Sequence, residues 1–248
     1  MTAAKSEYPE FPNIISILGE HFHAAPFGRF LLQWENLIYA FLVMGIITLF
    51  AFLATRKMKP VPGRLQAAAE LLVGFIDDFV CMVIGPSGRK YTPFIGTLFL
   101  YIITMNLIGY IPFLKSPSAD WSITLALALC VFVYVEFDSL RELGFVGYVD
   151  HMMGRPRGVL AFTVILPAAI FALHMMAEVL RPLTLSLRLR SNIWGDDMLL
   201  ALLAGFGFQG LPLMLFSMFL TLVGAVVQAI VFCLLTTVYF ALIFNHEE

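Results

Sequence analysis

The chain has 248 residues, 60% of them hydrophobic and 13% charged, with a formal net charge of -2. A soluble domain is nearer about 45–50% apolar and about 25% charged, so the composition excludes an ordinary soluble globule and describes an integral membrane protein. The net charge says nothing about nucleic acid, but the lack of a basic stripe interleaved with aromatics leaves no nucleic-acid partner expected.

The N-terminal segment 1–35 lacks the basic-then-apolar order of a signal peptide. Apolar stretches at 36–55, 92–113, 121–137, 160–203 and 209–244 are each long enough to span a bilayer, or nearly so. Between the first two lies "LQAAAELLVGFIDDFVCMVI", 65–84, which Glu70, Asp77 and Asp78 interrupt. It reads as an interfacial or re-entrant helix. No repeat or linker divides the chain, so one membrane domain is expected over 1–248. Cys81, Cys130 and Cys233 are far apart in apolar surroundings, where cysteine serves as a small hydrophobe rather than as a metal ligand or disulfide partner.

Basic residues set the orientation. Arg56, Lys57, Lys59, Arg64, Arg89, Lys90, Arg141, Arg155 and Arg157 fall in the loops 56–91 and 138–159, whereas the opposite side holds Lys5, Arg29 and Lys115. The first group marks the cytoplasm. With five spans the N-terminus is expected outside and the C-terminus inside.

The last two stretches are too long for upright spans. At about 1.5 Å per residue they measure roughly 66 Å and 54 Å, against a hydrocarbon core of about 30 Å. They must lean or bend, and Pro167 and Pro182 are natural bend points. The expected fold is all-α, with about five spans, an interfacial helix, and a long, strongly tilted hairpin over 160–244. Its turn, "GFGFQGLP", is centred near 208 and sets 188 level with 228.

"RPLTLSLRLRSNIWGDD", 181–197, places three arginines and two aspartates inside this apolar hairpin. At about 100° per residue, His174, Glu178, Arg181, Arg188, Asn192 and Asp196 stay on one side of a helix, while Arg190 and Asp197 share the opposite face. On the last helix Ser217, Thr221 and Tyr239 fall near the line of Gln228, with Gly224 beside them. Glu178 and Asp197 lie about 15 Å and 14 Å from Arg188 on either side. Titratable groups thus flank a permanent cation, and intramembrane chains of Asp, Glu and His mark proton routes. Plainer roles stand beside this one: a Glu178–Arg181 ion pair, a packed core His174, Gln228 as interhelical glue, and interfacial Asp196 and Asp197. Arg188 resists such a role, because no acid lies three or four residues away. Its partner is expected on another subunit. "GPSGRKYT", 85–92, lacks the spacing of a phosphate loop, so no nucleotide site is expected.

Three stretches carry a family resemblance. "RPLTLSLRL" followed by Asn192, "GRKYTPFIGTLFLYIITMNLIGYIP" at 88–112, and "QAIVFCLLTTVYF" at 228–240 resemble subunit a of F-type ATP synthases. The resemblance implies that Arg188 is the essential arginine facing a ring of c subunits, that Asn192 and Gln228 line two half-channels, and that Asp197 belongs to the outer one. It implies a non-catalytic subunit without cofactor or metal. It also implies contacts with the c ring, the b subunits of the peripheral stalk and the rest of the complex, in a bacterial plasma membrane. The chain departs from the family pattern at Arg190 and Ser191, where Phe followed by Gly or Ala is usual, at His174, where Glu is usual, and at Thr221, where His or Glu is common. The alternative is a proton-coupled secondary transporter, which should show inverted repeats and matching broken helices. A scaffold without transport would need no Glu–Arg–Asp order along one hairpin.

Overall fold

The computed structural model describes residues 34–56, 59–111, 114, 116–152 and 160–244. Nearly all of the expected outer N-terminal segment, and the basic residues Lys57, Lys115, Arg155 and Arg157, lie outside these. The described elements run in the order α1 (Glu35–Thr55), α2 (Arg64–Ile84), α3 (Thr92–Ile108), α4 (Trp121–Met152), α5 (Leu160–Ala204) and α6 (Leu211–Phe244). Short 3-10 turns at Pro86–Tyr91, Pro117–Ala119 and Gly207–Gly210 precede α3, α4 and α6. Among the described residues five helices, all but α2, are long and apolar enough to cross a membrane. Helices suit hydrocarbon because each satisfies its backbone hydrogen bonds within itself. The protein is an all-α integral membrane protein, as its composition requires.

Two boundaries differ from the sequence expectation. The third span was expected to end near 137, yet α4 continues to Met152. The polar run after 135 stays helical because its side chains find partners: Asp138 accepts from the Tyr91 hydroxyl, and Glu142 pairs with Lys90. The helix breaks at Gly144, whose φ of 67° and ψ of 163° suit a residue without a Cβ. The second span ends early, at Ile108, in tight turns in which Tyr110 N–H and Ile111 N–H donate to the carbonyls of Leu107 and Ile108.

The hairpin forms as its turn residues demand. Gly207 takes a φ of 61°, and a Cβ on Gly210 would collide with the Leu203 carbonyl oxygen. α5 has 45 residues and α6 has 34, so each outruns a hydrocarbon core of about 30 Å. α5 stays helical through Pro167 and Pro182. Asn192 Nδ2 lies 3.6 Å from where a Gly224 Cβ would stand. That is the register the turn at 208 dictates, and it sets Arg188 level with Gln228.

The core is centred on α6. Ala229, Phe232, Cys233 and Phe240 pack with Ile76 and Val80 of α2, Ile95, Leu98 and Ile102 of α3, Val131 and Val135 of α4, and Leu185 and Leu189 of α5. Leu185, Leu189 and Ile193 form a buried stripe along α5 at four-residue spacing. α3 runs antiparallel to α6: Tyr91 stacks on Phe240 with ring centroids 4.2 Å apart, and fifteen residues on, Asn106 Nδ2 donates to Ala225 O at 3.3 Å. Asp77 accepts from Thr92 Oγ1 at 2.8 Å and pairs with Arg89 at 3.1 Å. This ties α2, the expected interfacial helix, to the start of α3.

Asn106 anchors a buried polar chain. Its Oδ1 accepts from Ser118 Oγ at 2.9 Å, the Ser118 and Ser116 hydroxyls are 2.6 Å apart, and Ser116 Oγ donates to Met105 O at 2.9 Å. Asn106→Ala removes both ends of the link and strands a buried hydroxyl, which costs about 1–3 kcal/mol. The expected result is a lower melting temperature of the purified subunit-containing complex and less of it in the membrane, with normal pumping per assembled complex.

Candidate functional site

The two seams meet, and they divide into a set toward the hairpin turn, a central cation and a set toward the open end of the hairpin. In the turn-side set Ser217, Thr221 and Gln228 of α6 are all buried, with Gln228 at 7% exposure and Ser217 at 4%. Across from them stand Asn192 and Asp196 of α5, each half-buried. Asn192 Nδ2, Ser217 Oγ, Gln228 Nε2 and the Tyr110 hydroxyl are buried and have no hydrogen-bond partner among the described residues. Buried polar groups are nearly always hydrogen-bonded, to protein or to water. Four such atoms in one seam therefore make a track suited to water.

Thr221 Oγ1 donates to Ser217 O at 3.0 Å. Asp196 approaches Thr221 from α5. Tyr110 approaches it from the turn after α3, without closing a hydrogen bond. Burial, and secondarily the charges of Asp196 and Asp197, pushes the Tyr110 hydroxyl up to about 12. Near neutral pH it is a donor and not a base. Asp196 is thus the carboxylate that reaches Thr221, whereas Asp197 is exposed and acts on Tyr110 through its charge.

Arg188 occupies the middle of the hairpin and is exposed, beside Leu187, Thr184 and Ser191, which are exposed too. Among the described residues it has no carboxylate within 4.0 Å. Arg190 lies on another face and reaches across the bundle. Its Nε donates to Ala119 O at 3.4 Å, and its guanidinium sits 5.4 Å from the Trp121 ring. The second arginine is thus a clamp between α5 and the start of α4, which explains how the chain accommodates it.

The set toward the open end of the hairpin gathers His174, Glu178 and Arg181 of α5 with Tyr239 of α6. The Arg181 guanidinium lies 5.1 Å from the Tyr239 ring. His174 and Arg181 both act electrostatically on Glu178, and Arg188 acts on Tyr239. α4 contributes two residues that sequence reasoning passed over. The Tyr148 hydroxyl lies 2.6 Å from Glu136 Oε2 and 3.1 Å from Glu178 Oε2. Glu136 was findable as a carboxylate closing an apolar run. Tyr148 was not, because it lay in what read as a loop, beyond the break at Gly144. Tyr110 sat unremarked inside a quoted motif.

The fold and its seams define a class: a helical membrane protein with a long hairpin whose described residues carry buried or half-buried polar groups on either side of Arg188, an exposed cation. Comparison with known proteins gives the class its family. The family model described as ATP synthase A chain matches residues 37–241. ATP synthase subunit a of Protochlamydia amoebophila is 40% identical over 98% of this chain and 92% of its own. Those of Solidesulfovibrio magneticus and Aliarcobacter butzleri are each 39% identical, over 83% and 87% of this chain and 82% and 92% of theirs. The chain belongs to the ATP synthase subunit a family, the proton-translocating membrane subunit of the Fo sector. The alternative of a proton-coupled solute transporter is not favoured.

Proposed function

We propose that this subunit supplies two half-paths for protons and the arginine that separates them. The N-terminus lies outside and the C-terminus in the cytoplasm of a bacterial plasma membrane, so the outer path runs past Asp196, Tyr110, Thr221, Asn192 and Gln228. There a proton reaches a carboxylate of the c-subunit ring, and the neutralised carboxyl can turn through lipid. Arg188 attracts the returning carboxyl, favours its ionised form and so releases the proton to the inner path at Tyr239, Glu178 and His174. Arginine stays protonated under all ordinary conditions, so it blocks direct passage between the paths. A charge crossing 100 mV is worth about 2.3 kcal/mol, so several protons must be coupled to one ATP. The subunit is non-catalytic, and the b subunits of the peripheral stalk hold it against the ring's rotation.

The observation that carries this reading is Arg188, an exposed cation on an apolar hairpin face with no carboxylate within 4.0 Å among the described residues. The partner has to bring one. In a background lacking the exposed Cys130, Ser191→Cys, one turn from Arg188, is expected to cross-link to a cysteine set beside the ring carboxylate. Phe41→Cys on the exposed face of α1 is not. A ring that cross-links to position 41 and never to 191 would falsify the assignment of this face.

A further inference from the structure

The proposed inner path leaves Glu136 and Tyr148 without a task, yet α4 bends at Gly144 and sets the Tyr148 hydroxyl between two carboxyl groups. Glu136 Oε2 is 2.6 Å away and Glu178 Oε2 is 3.1 Å away. A phenol oxygen carries one hydrogen and can donate to one carboxylate at a time. The second contact is a hydrogen bond only when that carboxyl bears a proton of its own and donates it to the phenol oxygen. The charges agree with this count. Glu136 lines the same cleft as Arg181 and Tyr239, and Arg181 acts on Glu178. Two carboxylates beside one guanidinium leave an excess negative charge. One added proton cancels it, which the half-buried setting of Glu136, Tyr148 and Glu178 favours over two bare neighbouring carboxylates. Among the described residues, His174 of α5 and Tyr239 of α6 are the further titratable groups close to the set. Burial, and after it the two carboxylates, raises the Tyr148 hydroxyl far above its ordinary value. The phenol therefore keeps its proton and acts as a bridge.

We propose that Glu136, Tyr148 and Glu178 form a single-proton store at the inner mouth. The phenol accepts a proton from the protonated carboxyl as it passes its own to the ionised one, so the proton moves between the glutamates and Tyr148 is unchanged. Each released proton leaves the pair ready for the next. This rests on the inner half-path running through Glu178.

The test is ATP-driven pumping by the intact complex in inverted membranes, measured across pH and divided by the amount of assembled complex. Pumping draws protons from the inner side, so it declines as pH rises and the store empties. Glu136→Gln removes one of two repelling charges, so the remaining carboxyl loses its proton more readily. The decline is expected to move to lower pH by about one unit. Tyr148→Phe keeps the ring and removes the bridge. Its maximal pumping is expected to fall roughly tenfold, the equivalent of one hydrogen bond to a charged group. A wild-type result in either variant overturns the store. Glu178→Gln separates this from the larger reading. If it stops pumping while the other two variants behave as wild type, only the store falls. If it too pumps normally, the inner path itself lies elsewhere.

Discussion

Arg188→Gln is expected to leave the complex assembled while abolishing ATP synthesis and ATP-driven pumping. The side chain is exposed and touches no carboxylate among the described residues, so its loss removes no partner that folding needs. What it removes, on the proposed mechanism, is the cation that meets an ionised ring carboxyl inside the bilayer. Leaving such a charge uncompensated costs about 3–5 kcal/mol, which slows the step more than about a hundredfold. Passive proton leak is expected to persist or rise, because the barrier between the half-paths is gone. Arg188→Lys keeps a charge but loses the planar fork and its reach, and it is expected to fail nearly as completely. Arg190→Phe is the control. It gives up a clamp on Ala119 and Trp121 that is far from the ring-facing side, so coupling per complex should persist even where assembly declines. Complex in the membrane and pumping per complex, measured together, check all three. Normal coupling per complex in Arg188→Gln would remove the basis of the mechanism.

The second large effect concerns the outer path. Family resemblance assigns Asp197 to it, whereas the structure turns Asp196 to Thr221 and leaves Asp197 exposed. Asp196→Asn is therefore expected to slow proton uptake from the outer side roughly a hundredfold or more, within the range of about 10²–10⁴ that a lost proton-transfer group can cost. Asp197→Asn is expected to change it less than about threefold, as an exposed charge in high dielectric does. Proton conduction through ring-containing vesicles under an imposed potential measures both. Equal, normal rates in the two variants would exclude either aspartate as a relay. A larger loss in Asp197→Asn would restore the assignment by resemblance.

Much of this was legible in the sequence because hydrocarbon leaves a chain few choices. Five helical spans, a hairpin turn near 208 and the separation of Arg188 from Arg190 follow from length, from glycine and from about 100° per residue. The register that sets Asn192 against Gly224 follows from the turn alone. Contacts between elements distant in sequence were not legible. Asp196 and Asp197 are adjacent, and periodicity could place each on a face without saying which face packs on Thr221. Glu136 meets Glu178 only because α4 outlasts its apolar stretch and then breaks at Gly144. A reading that ended the helix where hydrophobicity ended could not bring Tyr148 back. Arg190 was read against Asp197 on its own helix, but its contacts lie on the turn before α4, and a single helix cannot reveal those.

The buried stripe of Leu185, Leu189 and Ile193 has a mechanical consequence. A motor needs a stator, and on the proposed mechanism every tangential push that Arg188 gives a ring carboxyl returns to α5 as recoil. That load can reach the rest of the subunit sideways, through the face of α5 that is packed against other helices. The stripe is set against α6, which is itself gripped by α2, α3 and α4. Torque is thus passed through close-packed hydrocarbon, which is stiff in compression, and not through the few polar bonds of the seam. The water track can stay loose enough to conduct while the wall that holds it does not yield.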